Sequence, residues 1–275
     1  MALWALIATF GGALGLAIGS FLNVVVYRVP AGMSVIAPAS ACTKCGRAIR
    51  GLDNVPVLSW LVLRGRCRDC SEPIALRYPL VEAGTAVLFL AVGIRFLPSA
   101  EIPGAALVGH VVLLVALLYL MATSVVLALI DVDTHTLPNR IVLPMYPVLI
   151  VLLSVTSALT GDWSALLRGL FGLAVLGGVY LVLAIAVPRG MGFGDVKLAG
   201  VLGLVLAYLG WGPLAVGAFG AFLLGGTFGI VLLVARRADR ATGIPFGPWM
   251  LLGAWVGAFA GSPIWHAYLR LLGLV

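Results

Sequence analysis

Charge is what this sequence has least of: 10% of its 275 residues are Asp, Glu, Lys or Arg, against 62% hydrophobic. So little polar surface cannot cover a water-soluble domain of this length, which excludes an ordinary globular protein and leaves bilayer lipid as the solvent. Histidine and lysine are scarce as well. His110, His135 and His266 are scattered and no H-E-x-x-H occurs, so the helix signature of a zinc metallopeptidase is missing. Lys44 and Lys197 are the only lysines and no G-x-S-x-G is present, which gives little support to serine chemistry. A net charge of +7 calls for no nucleic acid, since a basic cytoplasmic face against anionic lipid accounts for it.

What the sequence does have is long apolar runs. Eight of them, at roughly 4–27, 79–98, 104–130, 141–160, 165–187, 197–211, 213–235 and 247–270, approach the twenty or so residues that a helix needs to cross about 30 Å of hydrocarbon. The fold class expected is an all-α polytopic membrane protein of about eight transmembrane helices. The first run lacks a basic start and a small-residue cleavage site before Arg28, so it is expected to remain as a span. With the N-terminus outside, nearly all Lys and Arg fall at cytoplasmic ends; only Arg95, Arg168 and Arg270 lie opposite. Small residues within the spans, such as Gly257-Ala-Phe-Ala-Gly261, suit close helix contact.

One polar region interrupts the spans, residues 28–78, and it holds all four cysteines. Cys42-Thr-Lys-Cys45 and Cys67-Arg-Asp-Cys70 are two C-x-x-C pairs with 21 residues between them, close to the spacing by which two turns share one tetrahedral zinc. Gly46 and Gly65 would allow the tight turns. Disulfides are the competing pairing, but the charge count puts this insert in the reducing cytoplasm. A closed four-thiolate site would fold an insert too small for a good core of its own and would do no chemistry.

Of the ten acidic residues, three stand at the ends of apolar runs: Asp131 and Asp133 after Ala128-Leu-Ile130, and Asp195 in Gly192-Phe-Gly-Asp195-Val-Lys197. Carboxylates there tend to face protein interior or water. Asp131 and Asp195 are expected at the same cytoplasmic level, where helix packing could bring them together. Two carboxyl groups a few ångströms apart hold one proton between them; the charged one can take a proton from water while the neutral one polarises a carbonyl. Simple helix capping by Asp195, and by Asp131 or Asp133, is the alternative that the residues alone leave open.

Four blocks then resemble the type IV prepilin peptidase family. They are Gly19-Ser-Phe-Leu-Asn-Val-Val-Val-Tyr-Arg28; the cysteine insert with Asn54-Val-Pro-Val-Leu-Ser-Trp-Leu-Val-Leu-Arg64 and Arg77-Tyr-Pro-Leu-Val-Glu82; Asp131-Val-Asp-Thr-His-Thr-Leu-Pro138; and the G-x-G-D element ending at Asp195. The resemblance implies an aspartic endopeptidase of the bacterial inner membrane with Asp131 and Asp195 as the catalytic pair. It further implies Asp133, as helper or bystander, with Gly192, Gly194 and Lys197 as supporting residues, and zinc on Cys42, Cys45, Cys67 and Cys70. It implies pilin-like or pseudopilin precursors as partners, cut after a short basic leader, and methylation of the new N-terminus with S-adenosylmethionine. No nucleoside fingerprint marks a site for that donor, and Arg77 and Glu82 read as helix-entry and packing residues. The implied division is a first transmembrane helix (1–27), a cysteine insert (28–78) and a peptidase domain (79–275). A presenilin-like or signal-peptide-peptidase-like protease shares the G-x-G-D element but lacks the cysteine insert. A transporter predicts mid-span charge and internal repeats, which are not seen, and a zinc-dependent assembly factor without catalysis is the remaining alternative.

Overall fold

A computed structural model of the chain describes residues 2–98, 102, 104–187, 191–235 and 245–274, with the side chains of 2–8 outside the description. Its long helices are α1 (Ala2–Arg28), α3 (Arg77–Phe96), α4 (Gly104–Thr134), α5 (Asn139–Thr160), α6 (Trp163–Ala186), α7 (Phe193–Leu209), α8 (Trp211–Val234) and α9 (Gly247–Leu271). A short helix α2 (Leu58–Val62) lies in the insert, and no strand occurs among the described residues. Each of the eight expected runs falls on one long helix. Six of these, α1, α3, α4, α5, α6 and α8, are long and apolar enough to cross a membrane. The chain is a multi-pass helical membrane protein.

Two compact units divide the chain: residues 1–97 with 117–126, and residues 98–116 with 127–275. In the first, α1 packs along α3 because α1 carries small residues on the contact face. A side chain on Gly19 would come within 2.7 Å of the Glu82 Cα atom. Past α1, the Arg28 guanidinium gathers the chain by donating to the carbonyls of Ser34 (3.0 Å) and Pro38 (2.8 Å).

In the second unit α7 is the centre. Its residues Leu198 to Tyr208 are all buried, as expected of a helix apolar on every side, and its neighbours are α5, α6, α8 and α9. The Arg168 guanidinium of α6 donates to the carbonyls of Ala207 (2.6 Å) and Tyr208 (2.7 Å). It thereby satisfies the C-terminal carbonyls that α7 cannot pair itself. Arg168, one of the three basic residues expected opposite the others, thus has a local partner. The spacing of Gly257 and Gly261 does make a contact face: side chains at those positions would stand 2.8 Å from Gly217 and 2.5 Å from Pro213 of α8.

Candidate active site and metal-binding cluster

α4 runs one turn further than its apolar stretch, to Thr134, so Asp131 lies inside the helix and is 4% exposed. Its backbone carbonyl accepts from the His135 N–H at 2.8 Å, which ends the helix at a left-handed His135 (φ 53°). The last turn of a helix is an unfavourable place for a carboxylate, because the macrodipole is negative there. α9 offsets this: the Gly247 N–H, in the first turn of that helix, donates to Asp131 Oδ2 at 3.0 Å. Glycine is needed for the approach, since a Cβ at Gly247 would stand 2.7 Å from the same oxygen. Phe246, the residue before it, is fixed by Phe222 and Tyr180, with ring centroids 5.5 and 6.4 Å away.

Asp195 sits at the opposite kind of helix end. α7 begins at Phe193, three residues earlier than a cap at Asp195 requires, so Asp195 occupies the third position of the helix. Its Oδ2 accepts from the Gly192 N–H at 3.1 Å, the reciprocal half of a capping box. The structure therefore moves Asp195 from the expected cap position to the third residue, from which its carboxylate still serves the helix start, and places Asp131 within α4 instead of at a turn. Leu137 is the shared neighbour of their supports: side chains at Gly194 and Gly247 would meet it at 3.0 and 3.3 Å. Gly194 is thus small because Leu137 occupies the space, while a Cβ at Gly192 would make only an ordinary 3.5 Å contact.

Lys197 points to neither carboxylate but donates to Asn139 Oδ1 at 2.9 Å, and its carbonyl accepts from the Tyr146 hydroxyl at 2.6 Å. These bonds tie the start of α7 to α5. Asp133 is on the exposed face of α4, whereas Gly247, which holds Asp131, and Gly194, which precedes Asp195, both border Leu137. Gly247 was not foreseen, because its contribution is a backbone N–H; the only trace in sequence is the Gly-Pro step that opens a helix.

The four cysteines of the other unit converge as well. All four sulfurs lie within 4.8 Å of one another, with Cys42 and Cys70 Sγ 3.7 Å apart, and all are free thiols. Metal–sulfur bonds of about 2.3 Å in a tetrahedron put sulfurs about 3.8 Å apart, so the cluster could hold one metal ion. Two similar turns build it. The Cys42 N–H donates to the Arg47 carbonyl and the Cys67 N–H to that of Glu72, both at 2.9 Å. The residue after each pair is left-handed: Gly46 at φ 70° as expected, and Ser71 at φ 58° where glycine was not required. Gly65, also left-handed, is needed instead because Trp60 lies 2.8 Å from where its Cβ would be. Backbone N–H groups of Cys45 and Lys44 hold the Cys42 thiol down at about 6. Against the pull of the Glu72 N–H, desolvation and the three neighbouring thiols push Cys70 up to about 12. Around the turns, Arg68 grips Asp53 through both carboxylate oxygens (2.6–3.0 Å), and Arg47 and Arg50 share Asp69.

An acidic pair at helix ends and a four-thiol cluster on a polar insert, carried by a multi-pass helical body, define a membrane-embedded peptidase class. The chain belongs to the type IV leader peptidase family, whose pattern it matches over residues 118–230, and it matches the Bacterial Peptidase A24 N-terminal domain over residues 13–96. It is 36% identical to a prepilin leader peptidase/N-methyltransferase of Pseudomonas putida, over 99% of this chain and all of the relative. It is 34% identical to the protein of that name from Aeromonas hydrophila (92% and 91% covered) and 33% to that from Pseudomonas aeruginosa (94% and 92%). No solved structure matches it.

Proposed function

We propose that this protein removes the short basic leader of type IV prepilin-like precursors, using Asp131 and Asp195 as an aspartic dyad, and methylates the N-terminus so exposed. The observation that supports the reading is that these two carboxylates, 64 positions apart in the chain, are each held through Oδ2 by one backbone N–H, while Gly247 and Gly194 beside them both border Leu137. One proton is shared by the pair, and its titration belongs to both residues. The charged member takes a proton from the attacking water; the neutral member polarises the scissile carbonyl. Gly247 and Gly192 hold one oxygen of each carboxylate in place, which leaves the other oxygen of each for water and substrate.

On this reading both sites face the cytoplasm across a bacterial inner membrane, as the basic residues at that side support. A leader carrying Lys or Arg is drawn towards the acidic pair, and the precursor's apolar helix stays in lipid. The insert 28–78 folds around zinc, the ion that an all-thiolate tetrahedral set fits best, while the peptidase chemistry belongs to 79–275. Zinc held by four thiolates keeps no open position, so Cys42, Cys45, Cys67 and Cys70 shape the insert and take no part in hydrolysis. The methyl donor is S-adenosylmethionine. Its test is direct: the purified protein is incubated with a leader-bearing precursor, with and without S-adenosylmethionine, and the products are weighed by mass spectrometry. Loss of the leader in both reactions and a gain of one methyl only with the donor are expected. An intact precursor in both would refute the peptidase assignment.

A further inference from the structure

The first unit contains a cavity of about 460 Å³ between the end of α1, the start of α3 and the insert. That volume falls in the range of small-molecule sites, roughly 300–1,000 Å³. Its wall includes Asn23, Tyr27, Trp60, Tyr78 and Glu82. Two of these are locked by hydrogen bonds: Trp60 Nε1 donates to the Ile74 carbonyl (3.1 Å) and Asn23 Nδ2 to that of Tyr78 (3.2 Å).

Glu82 is the unusual member. It lies in the second turn of a membrane-crossing helix, and no described cation is within ion-pair distance of it, whereas Asp53, Asp69 and Glu72 in the same wall are all paired. A carboxylate in that position without a cation is costly and tends to mark function. Its one bond comes from a strained place. Val57 adopts φ 61°, ψ −49°, with the Leu58 N–H donating to the Pro56 carbonyl at 2.6 Å. That is a γ-turn of the rare, strained hand, on a β-branched residue. The strain aims the Val57 N–H at Glu82 Oε2, 2.7 Å away. Packing alone needs neither the charge nor the turn, and strain of this kind gathers at working sites.

We infer that this cavity is the methyl-transfer site, with Glu82 as the group that takes the proton from the substrate's new N-terminal amine. The inference rests on the methylation reading above and assigns it residues. Donor and acceptor are both cationic; Arg47 and Arg68 in the wall are held by Asp69 and Asp53 and Arg28 by the Ser34 and Pro38 carbonyls, which leaves Glu82 and the aromatic faces to meet a cation. The N-terminal ammonium has no lone pair, so an N–H bond must break first; Glu82 accepts that proton on its carboxylate. When bound, S-adenosylmethionine supplies an electrophilic methyl carbon, so that an N–C bond forms as the C–S bond breaks and its electron pair stays on sulfur. The chain ends as a methylammonium, and Glu82 returns its proton to water. Val57 holds Oε2 while the other oxygen serves the amine, and Trp60 and Tyr78 supply flat apolar surface for the nucleoside.

Glu82→Gln keeps the acceptor for the Val57 N–H and removes the base. The metal-bearing, full-length protein and this variant are given a leader-bearing precursor and S-adenosylmethionine, and binding of S-adenosylhomocysteine is measured by calorimetry. In the variant, trimmed product is expected to accumulate unmethylated, with methyl transfer slower by about 100-fold or more and ligand affinity within about threefold of wild type. Methylation at the wild-type rate overturns the assignment. So does a parallel loss of S-adenosylhomocysteine binding, which makes Glu82 a donor-binding group instead. If thermal stability or metal content shows that the glutamine variant is misfolded, Glu82→Asp decides: it retains an acid and is expected to recover part of the transfer. A wild-type protein that trims but never methylates removes the methylation reading itself, a separate result from failure of Glu82.

Discussion

The acidic pair and the thiol cluster are built in opposite ways. Four sulfurs within 29 positions of chain are gathered by two short turns whose hydrogen bonds are almost all internal to the insert. The two carboxylates are 64 positions apart, and the amide that holds one of them, Gly247, comes from 116 positions further along. One site is folded by its neighbours in sequence, the other by the assembly of α4, α7 and α9. Damage to the first should stay local, whereas the second should respond to small displacements of whole helices.

The sharpest way to break that contrast is to remove the carboxylates. Asp131→Asn and Asp195→Asn keep shape but no ionisable proton, so each is expected to lower precursor cleavage by about 10³-fold or more while metal content and thermal midpoint hold. Cleavage retained in either variant would end the dyad. Next in size is Gly247→Ala. Its new methyl group would stand 2.7 Å from Asp131 Oδ2, and a misplacement of about 1 Å can cost about 10² in rate. A kcat that falls by about that factor, with the protein still folded, would show that the distant amide matters; an unchanged kcat would show that it does not.

Cys42→Ser tests the other side. Bound metal per chain is expected to fall to near zero and limited proteolysis to cut within residues 28–78, with the helices beyond them intact. Metal content equal to wild type would remove the four-thiolate cluster. The smallest effect is expected at Asp162, a purely local device. Its carboxylate accepts from the Ser164 hydroxyl (2.6 Å) and the Ala165 N–H (3.0 Å) at the start of α6, and these bonds hold its pKa below the usual value. A depressed carboxylate stabilises the fold above its unfolded pKa of about 3.9, and that contribution is lost as pH falls through the folded value. Asp162→Ala should therefore cost about 0.5–2 kcal/mol at neutral pH, read as a lower thermal midpoint, and the difference from wild type should shrink below about pH 4.

The same contrast governs what could be read from the residues beforehand. C-x-x-C spacing is a local signal, and the sulfurs are where it says. The apolar runs gave the long helices for the same reason, since length and composition are properties of a segment. Asp131 and Asp195 were legible as charges at the ends of such runs. Their supports were not. The Gly247 N–H has no side chain to announce it, and the extra turn of α4 follows from tertiary burial of Asp131, which composition cannot report. Glu82 looked like a packing residue because its significance lies in a missing counter-ion and a strained valine 25 positions away.

α7 is wrapped by four other helices along nearly its whole length, with Asp195 in its opening turn. A chain still being threaded into the bilayer has no such wrapping, because α8 and α9 follow it in synthesis and Gly247 emerges last. On the proposed dyad, full hydrolytic competence therefore waits for α9, which delivers the Gly247 amide to Asp131.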